Sequence, residues 1–312
     1  MRYPRRLLGA AVLGALGAFA LPASATTILF IGNSFTYGDP AGASAPLVKA
    51  YKPDTVTDLN KSGIGGVPAL FKAMTVAAGL DYTVSLETIP GAGLERHYNE
   101  KLALIAGAYD KVVLQSYSTL DAKQPGNPNM LIKYSGLLAE AFHARNPKVQ
   151  IMLNSTWSRA DQAWTPKGAW YGKPIEQMAL DLRRGYDAAD AASNLIDGVI
   201  PVGQAWNRAI AAGVADPNPY DGLTAGQVDL WAPDHYHGSV HGYYLEALTL
   251  FGAITGRDPR ALGANDAIAR EIGIAPGTAA ALQRCAAEQL EEEKKPGSTQ
   301  SRGQNQTSAA SK

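Results

Sequence analysis

The chain has 312 residues, 46% of them hydrophobic and 18% charged, with 28 basic against 28 acidic side chains. That is enough apolar material for one α/β domain with an ample core, and no basic stripe suggests nucleic acid or an anionic membrane as partner. The single cysteine, Cys285, excludes an intramolecular disulfide, and its alanine-rich helical surroundings make it a small buried apolar residue rather than a nucleophile.

Arg2, Arg5 and Arg6 precede an apolar run from Leu7 to Leu21, and Ala23-Ser24-Ala25 follows as a small-residue cleavage pattern. Residues 1–25 are therefore expected to be a signal peptide cut after Ala25. The paired Arg5-Arg6 leaves twin-arginine export open beside the ordinary secretory route. The run is too short and wrongly flanked for a membrane span, and nothing later approaches about twenty uninterrupted apolar residues. The mature chain is expected to be soluble and either secreted or periplasmic, with 25 basic against 28 acidic residues, a net charge of −3.

Ile28 to Ile31 is an unbroken apolar run, the pattern of a strand buried on both faces of a parallel sheet. Gly32-Asn33 breaks it, and the conformational freedom of glycine lets the chain turn and deliver Ser34 to the start of the next element. A serine at that position can be a nucleophile. Ala41 to Tyr51 is weakly helical, residues 52–66 form a polar insertion, and Val67 to Leu80 has helical periodicity through Leu70, Phe71, Met74 and Ala78. Tyr82 to Thr88 alternates as a strand and ends in the turn Ile89-Pro90-Gly91-Ala92-Gly93. Lys111 to Gln115 is a third strand, Leu131 to Ala144 a helix, and Val149 to Asn154 a fourth strand.

The stretch Trp157 to Tyr171 holds three of the five tryptophans, Trp157, Trp164 and Trp170. It is either a loop pinned to the body by its aromatics or an aromatic wall for sugar rings or an acyl chain, with Trp157 as the substrate-binding candidate. Ile175 to Ala192 is a helix, Gly198 to Pro201 a fifth strand, Ala205 to Ala212 a helix, and Asp216 to Gly226 a loop. Tyr243 to Thr255 and Ala275 to Lys295 are helical, and Pro296 to Lys312 lacks apolar periodicity and is expected to be disordered. The alternation predicts a three-layer α/β/α sandwich on a five-stranded parallel sheet, in the flavodoxin-like order 2-1-3-4-5, within one domain of residues 26–295.

Asp234 and His237 are three residues apart, a spacing that puts both on one side of a helical turn or tight loop. A carboxylate can then hold one imidazole nitrogen while the other faces Ser34. The chain order is Ser, Asp, His. With GNSFT at residues 32–36 and Asp-x-x-His at 234–237, the sequence resembles the SGNH (GDSL-type) hydrolases, in the subset whose first block reads GNSFT. The resemblance implies a serine esterase that needs no cofactor, with Ser34, Asp234 and His237 as its triad.

It also implies an oxyanion hole built from the Ser34 amide and a glycine amide after the second strand, for which Gly91 is the first choice and Gly93 the alternative. The family's usual Gly-x-Asn-Asp block is missing, but the GNSFT subset tends to carry Leu-Gln at this strand end. Gln115 is thus the third donor, with Ser118 as substitute. The expected substrate is a small-molecule or carbohydrate ester, and the protein is expected to act as a monomer. Two other readings use the same residues: a metal-dependent hydrolase with ligands from Asp234, His235, His237 and His241, and a non-catalytic carbohydrate-binding protein. His97 and His143 have no partner evident in the sequence.

Overall fold

A computed structural model describes residues 25–39 and 46–295. Apart from Ala25 itself, the expected signal peptide lies outside the described residues, as does the expected tail from Pro296 to Lys312. Among the described residues there are six strands: β1 (Thr26–Gly32), β2 (Thr57–Asp58), β3 (Tyr82–Thr88), β4 (Lys111–Leu114), β5 (Gln150–Ser155) and β6 (Val199–Pro201). They form one sheet in the order β2-β3-β1-β4-β5-β6, and every neighbouring pair is parallel.

The five expected strands stand in the expected order. The sixth, β2, comes from the polar insertion and adds two residues at the edge beside β3, too few to register as a period-two pattern. At the opposite edge β6 ends in Pro201, which an edge position tolerates because no further strand needs its missing N–H.

The helices are α1 (Ser34–Tyr37), α2 (Pro46–Lys49), α3 (Gly66–Ala77), α4 (Leu94–Ile105), α5 (Asn129–His143), α6 (Ala160–Trp164), α7 (Glu176–Ala191), α8 (Val202–Ala211), α9 (Val240–Thr255), α10 (Ala267–Glu271) and α11 (Pro276–Glu293). The unbroken apolar run of β1 is explained by two cores. Ile28 and Phe30 pack on one face with Leu70 of α3, Trp206 of α8, Leu248 of α9 and Leu282 of α11. Leu29 and Ile31 pack on the other with Leu94 of α4, Leu138 of α5 and Leu182 of α7. Each such side chain contributes about 1.5–3 kcal/mol by leaving water, so β1 is fixed from both sides. The three-layer sandwich follows, and it brings the carboxyl ends of β1, β3 and β4 side by side.

Candidate active site

Ser34 opens α1, directly after β1. Asn33 caps the helix, its Oδ1 accepting from the Phe35 amide at 3.1 Å, while Gly38 closes it in the left-handed region at φ 70°. Gly32 is needed here, but not for a left-handed backbone angle. A Cβ on Gly32 would lie 2.1 Å from Thr36 Oγ1 and 2.6 Å from Gln115 Oε1, so only glycine lets those two side chains close over the turn.

Asn33 ties together the three strand ends. Its amide N–H donates to Gln115 Oε1 at 2.9 Å, and its Nδ2 donates to the carbonyls of Ala92 at 2.8 Å and Ser116 at 3.1 Å. Sequence reasoning passed over this residue, although its place beside Ser34 in GNSFT was the available signal. The Ser34 carbonyl in turn accepts from the Tyr243 hydroxyl of α9 at 3.2 Å.

Asp234 and His237 lie in the tight loop between Trp231 and α9. His237 Nδ1 is 2.6 Å from Asp234 Oδ2, and the amides of Tyr236 and His237 donate to Asp234 Oδ1 at 3.1 and 3.0 Å. Burial alone would raise the Asp234 carboxyl, but these hydrogen bonds outweigh it and hold the group below its ordinary range. The loop is clamped from behind: Ala232 N–H donates to the His237 carbonyl at 2.8 Å, and Asp161 N–H donates to the His235 carbonyl at 3.1 Å. The His237 ring stands 5.8 Å from the ring of Phe35, the residue after Ser34, so the serine turn and the histidine loop are neighbours.

Among the described residues neither Ser34 Oγ nor His237 Nε2 has a hydrogen-bond partner. A direct bond between them is therefore absent among the described residues.

The candidate oxyanion donors separate. Gly91 is exposed, with φ 63° and open space where a Cβ would point, whereas Gly93 is buried at the N-cap of α4, next to the Ala92 carbonyl that Asn33 holds. Gln115 is fully buried, and its side chain is already engaged. Oε1 accepts from the Asn33 amide and from Thr36 Oγ1 at 3.1 Å, and Nε2 donates to the Ser116 carbonyl. Ser118 Oγ accepts from Arg159 at 3.1 Å and lies 3.5 Å from the Tyr236 hydroxyl.

Trp157 departs from its expected substrate-binding place. It is 0% exposed, stacked between Phe35 at 4.1 Å and Trp206 at 4.4 Å, with its Nε1 donating to the Tyr236 carbonyl. It packs behind the serine turn, because an indole sandwiched between two rings buries more area than one lying on the surface. The surface aromatics are others. Trp164 of α6 is 39% exposed and Tyr220 is 46% exposed. Trp164 Nε1 donates to the Pro217 carbonyl at 3.3 Å, which joins α6 to the 216–226 loop, and the Tyr220 ring lies 4.2 Å from that of His235.

Among the described residues no group of three His, Cys, Asp or Glu is placed to hold a metal ion, and the partly buried setting of His241 lowers its proton affinity against the opposing hydrogen bond to the Asp229 backbone. Nor does any helix among them have the length and apolarity to cross a membrane.

No protein-family model matches the sequence, and no curated protein does. Among solved structures, a DUF4886 family protein from Bacteroides uniformis is similar at 18% identity over 88% of this chain and 97% of its own, with a TM-score of 0.56. A protein assigned as a GDSL-like lipase, from Parabacteroides merdae, aligns at 18% identity over 74% of this chain and 95% of its own, TM-score 0.49. Axe2, an acetylxylan esterase from Geobacillus stearothermophilus, aligns at 16% identity over 80% and 95%, TM-score 0.43. With its all-parallel sheet and strand order, and with the DUF4886 family protein matching 88% of this chain and 97% of its own, the protein shares the three-layer α/β/α sandwich fold of that neighbour.

Proposed function

We propose that the protein is a serine esterase that transfers an acyl group from an ester to water. The observation that carries this reading is the 2.6 Å Asp234–His237 pair, held in a clamped loop beside the turn that opens with Ser34. Ser34 Oγ attacks the ester carbonyl carbon as His237 Nε2 takes its proton. The tetrahedral oxyanion then collapses, and the leaving alcohol departs with that proton. Water, deprotonated by His237, attacks the acyl-serine, and collapse returns the proton to Ser34 with release of the acid. Asp234, kept ionised by its three hydrogen bonds, orients the imidazole and stabilises its charged form.

The amides of Ser34 and Gly93 serve as oxyanion donors. Gly93 is preferred over Gly91 because it is buried and adjoins the carbonyl that Asn33 fixes. Gln115 acts by holding the Asn33 amide and Thr36 so that Ser34 is presented correctly.

The acyl group is small, such as acetyl, and the alcohol is a carbohydrate. The exposed Trp164, hydrogen-bonded to Pro217 of the 216–226 loop, and the exposed Tyr220 of that loop, whose ring lies against His235, support this by offering ring faces for a sugar next to the triad loop. The arginine-apolar-small pattern of residues 1–25 supports export of the chain, with residues 26–295 as its one catalytic domain.

Steady-state hydrolysis of p-nitrophenyl acetate tests the reading. Ser34→Ala is expected to lower kcat by several orders of magnitude with the fold intact, and the wild-type rate is expected to survive dialysis against EDTA. Equal rates for wild type and variant would refute it, and a loss that added zinc restores would favour the metal-dependent alternative.

A further inference from the structure

His97 has a partner that lies ten residues away and across a turn. Its Nδ1 is 2.5 Å from Glu87 Oε2, and both side chains are wholly inaccessible to solvent. Glu87 is the penultimate residue of β3, and His97 is in the first turn of α4, so the contact spans the connection that carries Gly91 and Gly93. The other carboxylate oxygen accepts from Asn60 Nδ2 at 3.0 Å, and the same nitrogen donates to the Thr88 carbonyl at 2.9 Å. Asn60 belongs to the polar insertion. Its own carbonyl oxygen accepts from Lys101 of α4 at 3.1 Å, and its backbone turn is set by Asp58, which accepts from the amides of Asn60, Ser62 and Ile64.

The connection between β3 and α4 is thus held on two sides. On the catalytic side Ile89 N–H donates to the Gly32 carbonyl at 3.0 Å and Asn33 holds Ala92; on the far side stand Asn60, Glu87 and His97.

We infer that Glu87, His97 and Asn60 are positioning residues for the oxyanion loop, and that this is the role of the 52–66 insertion. The inference rests on the esterase reading above. A buried carboxylate and imidazole are costly to desolvate, and an apolar pair of similar volume closes such a gap at no electrostatic penalty. What the polar pair adds is direction, fixing the distance and angle between strand end and helix start. Oxyanion donors need placement to within about 0.5 Å, and an error near 1 Å costs on the order of a hundredfold in rate. The Glu87–His97 bond sets where the amide of Gly93, four residues before His97, comes to rest.

The experiment uses the full chain with p-nitrophenyl acetate as substrate and a phenylboronic acid as probe of the tetrahedral state. Ser34→Ala is measured alongside. His97→Leu is expected to lower kcat roughly ten- to a hundredfold with KM changed less than about threefold, and boronate affinity is expected to fall in step with kcat. His97→Asn keeps an N–H donor close to the Nδ1 position and is expected to recover kcat to within a few fold of wild type.

A lowered Tm with kcat and boronate affinity unchanged would make the pair purely structural and overturn the inference. If His97→Leu does not fold, Asn60→Ala at the half-buried end of the network decides the question: a fall in kcat at constant KM supports the inference and an unchanged kcat overturns it. Wild-type turnover that does not depend on Ser34 would overturn the esterase reading and this inference together, whereas Ser34-dependent turnover with fully active His97 and Asn60 variants would overturn this inference alone.

Discussion

Glu246 of α9 is a buried carboxyl group with no counter-charge among the described residues, and its ionisation should govern how stability varies with pH. Its Oε1 accepts from Asn154 Nδ2 at 2.8 Å, while Oε2 has no partner among the described residues. Burial pushes its pKa from the ordinary 4.5 up to about 8, with the Asn154 amide opposing only part of that shift. The folded state therefore keeps a proton that the unfolded chain releases. The stability tied to that proton is fully present below pH 4.5, declines as pH rises, and is gone above about 8. At about 1.4 kcal/mol for each tenfold change in proton affinity, the whole loss is at most about 5 kcal/mol.

Glu246→Gln keeps an oxygen for Asn154 and removes the ionisation. Urea unfolding followed by tryptophan fluorescence, at about pH 5 and about pH 8, measures the effect. The variant is expected to gain on wild type by up to about 4 kcal/mol between the two conditions. A stability difference that stays constant with pH would refute the reasoning.

Four further substitutions address the site and its surroundings. Asp234→Asn leaves the loop's shape but replaces the carboxylate on His237 Nδ1 with an amide; kcat for p-nitrophenyl acetate is expected to fall about 10³- to 10⁴-fold with little change in KM. Trp157→Ala removes an indole from between two rings and is expected to cost about 3–5 kcal/mol in urea unfolding. Trp164→Ala and Tyr220→Ala are expected to leave Tm and p-nitrophenyl acetate turnover alone while raising KM several-fold for acetylated xylo-oligosaccharides, read as acetate release. An unchanged KM for both would remove the aromatic rim from the substrate site.

The sheet was legible because its signals are local. The buried run Ile28 to Ile31, the breaks after it and the alternation with helical periodicities are properties of neighbouring residues, and right-handed crossovers convert them into a strand order. The Asp234–His237 pair was legible for the same reason, since three residues of spacing in a tight loop suffice to join them.

Much of what stayed hidden depends on partners far along the chain. Asn33 meets Gln115 across 82 residues, and Glu87 meets Asn60 across 27. Gln115 has the donor chemistry of an oxyanion residue, but the carbonyl of Ser116 and the Asn33 amide claim its side chain, and neither contact leaves a pattern in sequence. The composition of the Trp157–Tyr171 stretch showed that aromatics gather there. Which of them face water depends on α6, a five-residue helix too short for its periodicity to be read.

The central claim, that Ser34 is a nucleophile activated by His237, is tested most directly by reaction with a fluorophosphonate, which labels only a serine activated in this way. Intact-mass measurement and peptide mapping of the treated wild type should give one adduct per chain, located on Ser34. The adduct should be absent from Ser34→Ala and should form far more slowly in Asp234→Asn. An adduct on Ser34→Ala equal to that on wild type would contradict the account.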